Sequence, residues 1–505
     1  MSISLGLPKG ILPTPEVAMS ASCVSQLVRV QPNNVNTISS SAQSLSQTAS
    51  TYINNLVFPS QLIQFSIPCG QSRNVWIDSE KSSISFRVNY AVTTAGTSQT
   101  GGSGYLQESA ASWINRIVHI GPNGQTIDDV VNANISETID HLLNYNTTDR
   151  DNFAGQFGFL SETGTVTNYT QGHSIPSFTG TGLTTAANCY YSYEFPLPSA
   201  LLGKYAKGFF PAGSVNKLDV QLYTNSQVPV TIFTGSATGT STAPAVTFTI
   251  DNISLNLWYL TLDNESAKML GSPKMHYLHG VTQRTASSTI AAGTSGYTNT
   301  LIGLRGKSCR NLFTRFVDTG ALSTAISKSY CINGVYDSKM PLASQLNYLL
   351  QGKDRYPQFP HNTQILPSSV LNRLLMASEK FQEWETRSSF IPTQFFAPIW
   401  SGSTGTISAN APTAANGYDQ NVVDACAAGV TSSASNLLTF IFGEDLRKVH
   451  NSQVLDGYDL TVTANHFLEM NLLYAPTNTQ SVFFTGRFDI IFEIDMEQGT
   501  INYRM

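Results

Sequence analysis

The chain reads as an all-β protein built of two β-sandwiches in tandem, and its length, its shortage of charge and its alternating apolar runs predict this. At 505 residues it exceeds what one ordinary core serves, and usual domain sizes make two units of roughly 200–250 residues the expectation. Hydrophobic residues make up 41% and aromatic residues 10%, which is globular, yet only 12% are charged against about 25% in an average domain. The polar surface therefore comes from Ser, Thr, Asn, Gln and Gly. These short side chains suit strands and loops, whereas helical surfaces favour Glu and Lys.

Residues 1–60 are rich in Ser and Asn with little periodicity, and read as an extended N-terminal arm without core elements. Strands follow around Phe65 and Trp76, then in SISFRVNYAV, where Ile84, Phe86, Val88 and Tyr90 alternate with polar neighbours. SWINRIVHIGPNGQTIDDVV is strand, Pro-Asn-Gly turn and returning strand, a hairpin. NISETIDHLLNY predicts a short helix with Ile135, Ile139, Leu142 and Leu143 on one face, Asn134 as its cap and Glu137 three residues on. A Thr/Gly/Ser/Asn-rich insert runs from Asn146 to Cys189, too long for a simple connection. Strands resume in YYSYEFPLP and end the first half with VTFTIDNISLNLWYLTL, after which DNESAKMLGSPK marks the boundary.

The second half repeats the style. A strand region lies at Met275 to Thr285, and Ser368 to Phe390 predicts the clearest helix, with Leu371, Leu374, Leu375, Phe381 and Trp384 on a broad face. A small-residue loop spans Gly402 to about Ser435, and in the last strands Phe488, Ile490, Phe492 and Ile494 alternate again. No repeat of identical residues relates the halves, so the doubling is architectural.

A net charge of −5 offers no basic field for phosphates, so specific nucleic-acid binding is not expected. No apolar run approaches a membrane span, and the N-terminus lacks the charged start and apolar stretch of a signal peptide; the expectation is a soluble, unsecreted chain without a transmembrane segment. Cys23, Cys69, Cys189, Cys309, Cys331 and Cys426 lie far apart with no CxxC pair. They read as reduced, mostly buried thiols rather than a zinc site or disulfide framework. Asn134, Asn146, Asn168, Asn252 and Asn264 stand in N-x-S/T triplets, which arise by chance in a chain this rich in Asn, Ser and Thr.

Several segments, in order, resemble the major capsid proteins of the double jelly-roll lineage of eukaryotic dsDNA viruses, of the Polinton-like virus, virophage and adintovirus type. The resemblance rests on SWINRIVHIGPNGQTIDDVVNANISETIDHLL and on YEFPLPSALLGKYAKGFFPAGSVNKLDVQLY, carried by Phe195, Leu197, Leu202, Gly203, Pro211, Leu218 and Val220. It continues in SYCINGVYDSKMPLA, in DRYPQFP with Tyr356, Pro357 and Pro360 as the turn before the helix, and in the C-terminal FIFGEDLRKVHNSQVLDGYDLTVTANHFLEMNLLY and FDIIFEIDMEQGTINY. It spans roughly Gln61 to the C-terminus. It implies two tandem eight-stranded jelly rolls with short helical insertions and long loops, a first roll at 61–265 and a second at 266–505. It further implies a homotrimeric, pseudo-hexameric capsomer that tiles an icosahedral shell. Neighbouring capsomers, penton proteins and minor capsid or cement proteins would be its partners, the virion its location and the inside of the host cell, cytoplasm or nucleus, its place of assembly. The loops at 146–189 and 401–435 would be candidates for an outward tower.

No catalytic, cofactor-binding or metal-binding residue is assigned, and no cofactor is expected. GLRGKS at Gly303 to Ser308 ends like a phosphate loop, but Leu301 stands where that loop needs its first glycine. His276 and His279 lie in an extended stretch that points them to opposite faces. Asp128 with Asp129, and Glu444 with Asp445, diverge on strands and read as solvated turns or salt-bridge partners rather than a catalytic pair. No serine sits in a G-x-S-x-G elbow. The aromatics of YYSYEF and FFTGRF read as core. The chain is expected to be a structural protein, not an enzyme; the alternative is a carbohydrate- or receptor-binding β-sandwich adhesin or attachment protein, which the composition fits equally.

Overall fold

Alternation along the strands decides the architecture. The computed structural model describes residues 24–45, 52–144, 173–318, 341–363, 370–378, 440–447 and 457–505, apart from breaks of one to five residues inside these blocks. Among the described residues, sixteen strands make up the two sandwiches. The first eight are β1 (Val24–Val30), β2 (Leu62–Ile67), β3 (Val75–Thr94), β4 (Ile114–Ile120), β5 (Thr126–Val131), β6 (Ala187–Pro196), β7 (Leu218–Thr224) and β8 (Ala245–Thr261). The second eight are β9 (Met275–Ile290), β10 (Gly296–Leu301), β11 (Cys309–Asp318), β12 (Ala343–Leu350), β13 (Asp354–His361), β14 (Phe442–Asp445), β15 (Phe467–Leu472) and β16 (Gln480–Asp495).

In the first set one sheet runs β1-β8-β3-β6 and the facing sheet β2-β7-β4-β5; in the second set the sheets run β9-β16-β11-β14 and β10-β15-β12-β13. Numbered by place in each set, both sandwiches have strands 1-8-3-6 against 2-7-4-5, with every pair antiparallel. This is the order of two interlocked Greek keys, the jelly roll. It occurs twice. The expected pair of eight-stranded jelly rolls is therefore what the strands build.

Each roll buries the inward half of its alternating residues. Ile84, Phe86, Val88 and Tyr90 of β3 are all buried, facing Phe65, Ile117, Val220 and Leu222 in one core. The second core gathers Leu312, Phe316, Leu346, Tyr348, Leu468, Met470, Phe484 and Phe488. At about 25 cal/mol per Å² of apolar surface removed from water, such layers supply the main drive to fold. The hairpin joining β4 and β5 turns where Pro122-Asn123-Gly124 predicts: the Gly121 amide donates to Gln125 O at 2.9 Å, and Gly124 has φ 74°.

Three expectations are corrected. The stretch before Ser60 is not free of core elements: β1 pairs with β8 from Val24↔Thr261 to Val30↔Leu255, Thr37–Ser39 and Gln43–Ser44 also join β8, and Val30, Ile38 and Leu45 are buried. VSQLVRV lacks clean alternation because it is an edge strand exposed along most of its length, so its periodicity signal is weak. The first helix, α1 (Ala133–Asn144), starts two residues earlier than a cap at Asn134 implies: Asn134 lies inside it and is buried, while Asn132 precedes it with φ 55°. DRYPQFP is not a turn but the edge strand β13, a place where prolines are tolerated because an edge leaves one side of the strand without ladder bonds.

A second helix, α2 (Asn264–Gly271), lies where DNESAKMLGSPK marks the boundary. Of the long insert, His173–Ser174 pairs with Tyr105 and Leu106, Ile175, Phe178 and Leu183 are buried in the first core, and Ala187–Cys189 already belongs to β6. Of the helix expected at Ser368 to Phe390, Val370, Leu374 and Ala377 are helical and buried. Most of its remainder and of the insert, the 401–435 loop, the triplets at Asn146 and Asn168, and Cys23, Cys331 and Cys426 lie outside the described residues.

Candidate functional site

The two rolls meet along a seam, and there the side chains with the most chemistry gather. β16 makes the seam possible because it outruns its own roll. Phe488 belongs to the second core, whereas Ile490, Phe492 and Ile494, two residues apart on the same face, belong to the first. At about 3.4 Å per residue the strand is roughly 50 Å long, long enough to serve both.

From the first roll, the segment between β6 and β7 reaches across. Ala206 and Lys207 pair with Gly280 and His279 of β9, and the Val281 amide donates to Tyr205 O at 3.1 Å. Gly280 is required by this approach: a Cβ there would sit 2.3 Å from Ala200 O. Within the segment Ser199 Oγ accepts from the Leu201 amide at 3.2 Å and the Leu202 amide at 3.5 Å, tying the turn.

Two polar clusters fill the seam. In one, Lys204 Nζ lies 2.7 Å from Glu137 and 3.0 Å from Asp140 of α1, the Tyr205 hydroxyl donates to both carboxylates, and Arg487 of β16 pairs with Asp140. Arg487 is buried, and desolvation lowers its pKa to about 10, still leaving it charged at neutral pH. In the other, Asp128 of β5 accepts from the Thr282 hydroxyl of β9 at 2.7 Å and from the Ala200 amide at 3.4 Å. His119 Nε2 is 3.3 Å from Ser199 Oγ, and its Nδ1 is 4.0 Å from the Asp128 carboxylate. Burial lowers the His119 pKa to about 3 and raises that of Asp128 to about 6.

Ser199, His119 and Asp128 have the residue types of a hydrolytic triad, which the sequence reading missed because they lie on three separate segments. Their arrangement does not suit that chemistry. All three are buried, the serine hydroxyl already accepts two amides, and the imidazole-carboxylate gap exceeds hydrogen-bond length. What the cluster does is join rolls: Asp128 and Ser199 come from one, Thr282 from the other.

The other singled-out residues fall as follows. Asp129 pairs with Arg116 at 2.6 Å on the outer face, diverging from Asp128, which is buried rather than solvated because the second roll covers it. Glu444 is likewise buried, its pKa raised by desolvation, 3.3 Å from His361; Asp445 pairs with Arg447. His276 is buried, its ring edge-to-face with Trp76 and its Nε2–H donating to Phe209 O at 3.1 Å; His279, on the opposite face of β9, reaches Asp489 at 3.2 Å. GLRGKS leads into strand β11, not a helix, and the Ser308 hydroxyl donates to Asp489 at 2.6 Å. In YYSYEF, Tyr193 and Phe195 are core and Tyr190 is exposed beneath the Arg87 guanidinium; in FFTGRF, Phe484 and Phe488 are core. Asn134 is buried in α1. Among the described residues no group of three or more His, Cys, Asp or Glu side chains could hold a metal ion, and no helix is long and apolar enough to cross a membrane.

No family model matches the chain, and no curated protein matches it. The similar solved structures are viral capsid proteins. The PBCV-1 capsid protein VP54, fitted into a reconstruction of the virophage Sputnik, is 12% identical with a TM-score of 0.49, over 96% of this chain and 97% of that one. The Faustovirus major capsid protein is 9% identical with a TM-score of 0.47, over 96% and 92%. The mavirus major capsid protein is 10% identical with a TM-score of 0.43, over 100% and 94%. The double jelly roll of this chain stands on its own strand order.

Proposed function

We propose that this double jelly-roll protein is a major capsid protein whose homotrimer, pseudo-hexameric in outline, tiles an icosahedral virus shell. The observation that carries the reading is the repetition of one strand order, 1-8-3-6 against 2-7-4-5, in a single chain whose halves are locked by a buried seam. Two rolls of one topology, held rigidly side by side, give each subunit two near-equivalent walls. Three such subunits offer six edges to their neighbours.

The division into rolls near residue 265 is part of this reading, as are penton and minor capsid or cement proteins as partners, assembly inside the host cell and a virion location. The chain works as a building block and not as an enzyme, a role supported by the sealing of the Ser199, His119 and Asp128 cluster. The repeated weak contacts of a shell then add up through multivalency.

Light scattering and electron microscopy of the purified chain test the proposal. The expected result is a monodisperse particle of about three times 54.8 kDa with a hexagonal outline. A monomer at every concentration that binds a glycan tightly and forms no larger assembly would overturn it.

A further inference from the structure

The seam inside the chain defines a rule of contact. The fifth strand of the first roll, β5, runs beside the first strand of the second, β9, without forming a ladder with it, and side chains make the join: Asp128 accepts from Thr282, and Asn132 Nδ2 donates to Thr285 Oγ1 at 3.0 Å. Each half of that contact has a counterpart that is exposed in the isolated chain.

The counterpart of β9 is β1, the first strand of the first roll. Along it Leu27 is 41% exposed, and Trp258 of β8, in register with Leu27 and so on the same face, is 37% exposed. The counterpart of β5 is β13, the fifth strand of the second roll, which carries Phe359, 85% exposed. Water-exposed aromatic and aliphatic groups at two surfaces that the topology makes equivalent to a buried contact mark an interaction site. Pro357 and Pro360 deprive β13 of two amide donors, so it cannot readily extend another sheet by backbone bonds. The contact it suits is made by side chains, as at β5.

We propose that Phe359 on β13 of one copy packs onto Leu27 and Trp258 of the next copy, repeating between chains the seam within the chain. This rests on the trimer reading above. A head-to-tail contact of this kind closes into a ring only if its rotation allows. With each chain filling two of six near-equivalent positions, it closes at three.

The full-length chain tests this through the charge variants Phe359→Asp and Leu27→Asp, with Leu301→Asp, at an exposed residue of β10, as control. Both charge variants are expected to lower the mass in light scattering about threefold, from trimer to monomer, while circular dichroism stays that of the parent; the control stays trimeric. A double variant, Leu27→Cys with Phe359→Cys, treated with a short bismaleimide against the wild-type background, is expected to give a cross-linked ladder that stops at three chains. Trimers that persist in both charge variants, with no new cross-link in the cysteine pair, would overturn this contact and leave the trimer reading intact. Wild-type protein that is monomeric throughout would instead overturn the trimer reading itself. A ladder running beyond three would refute ring closure.

Discussion

His119 and Asp128 illustrate how a buried pair of ionisable residues can hide its own pH dependence. Burial raises the Asp128 pKa from 3.8 to about 6 and lowers that of His119 from 6.5 to about 3. Between pH 3.8 and about 6 the folded chain holds a proton on Asp128 that the unfolded chain has released, so Asp128 alone stabilises the fold as pH falls through that window. Between pH 6.5 and about 3 the unfolded chain binds a proton on His119 that the folded chain refuses, so His119 alone destabilises the fold as pH falls. From about pH 6 to 4 the two slopes cancel, because each state carries one proton on a different member of the pair. Relative to wild type, His119→Asn is expected to raise the denaturation midpoint as pH falls from about 6 to 4, and Asp128→Asn to lower it over the same range. Urea titrations at stepped pH read this directly. Two variants with parallel, flat profiles would show that neither group is buried as described.

The segment Leu197 to Lys207 matters more than its lack of regular structure suggests. It ties its own turn through Ser199, sends Lys204 to the carboxylates of α1 and adds Ala206 and Lys207 to the edge of β9. Its phrase of Pro, Leu and Gly could be read in the sequence as a pair of turns, but not as a bridge, because its partners on β9 are more than 70 residues further on and those on α1 more than 60 residues back. Gly280 is the point where the bridge touches the strand. Gly280→Val is expected to push Ala200 away and lower stability by about 2–3 kcal/mol, measured by denaturation, with a new protease cut inside 197–207. Unchanged stability and no cleavage would mean that the segment has room to shift.

Across the whole molecule the seam makes the two rolls one cooperative unit. Ile490, Phe492 and Ile494 of β16 and Leu278 of β9 sit in the core of the first roll, so the second roll cannot unfold without opening the first. Calorimetry of the wild-type chain, with any higher assembly dissociated, is expected to give a single transition whose van't Hoff and calorimetric enthalpies agree. Two resolved transitions would show that the cores melt separately and that the seam is weak. Low charge suits the same molecule to close neighbours, since a net charge of −5 spread over 505 residues sets little repulsion between identical copies.

Alternation within each strand, turn residues between strands and chain length were local properties, and by themselves they determined the all-β class, the doubling and most strand positions, among them Ile84 to Tyr90 on β3 and Phe488 to Ile494 on β16. The resemblance in segment order pointed to the jelly rolls. Periodicity could not say that Phe488 and Ile490, neighbours on one face of one strand, belong to different cores, because a period of two carries no record of what lies opposite. Nor could it find β1, whose exposed edge residues leave no pattern to read. The Asp128–Thr282 and Asp140–Arg487 contacts join positions 154 and 347 residues apart. Only the tertiary structure decided them, since a buried charge takes its partner from whatever chain the packing brings beside it.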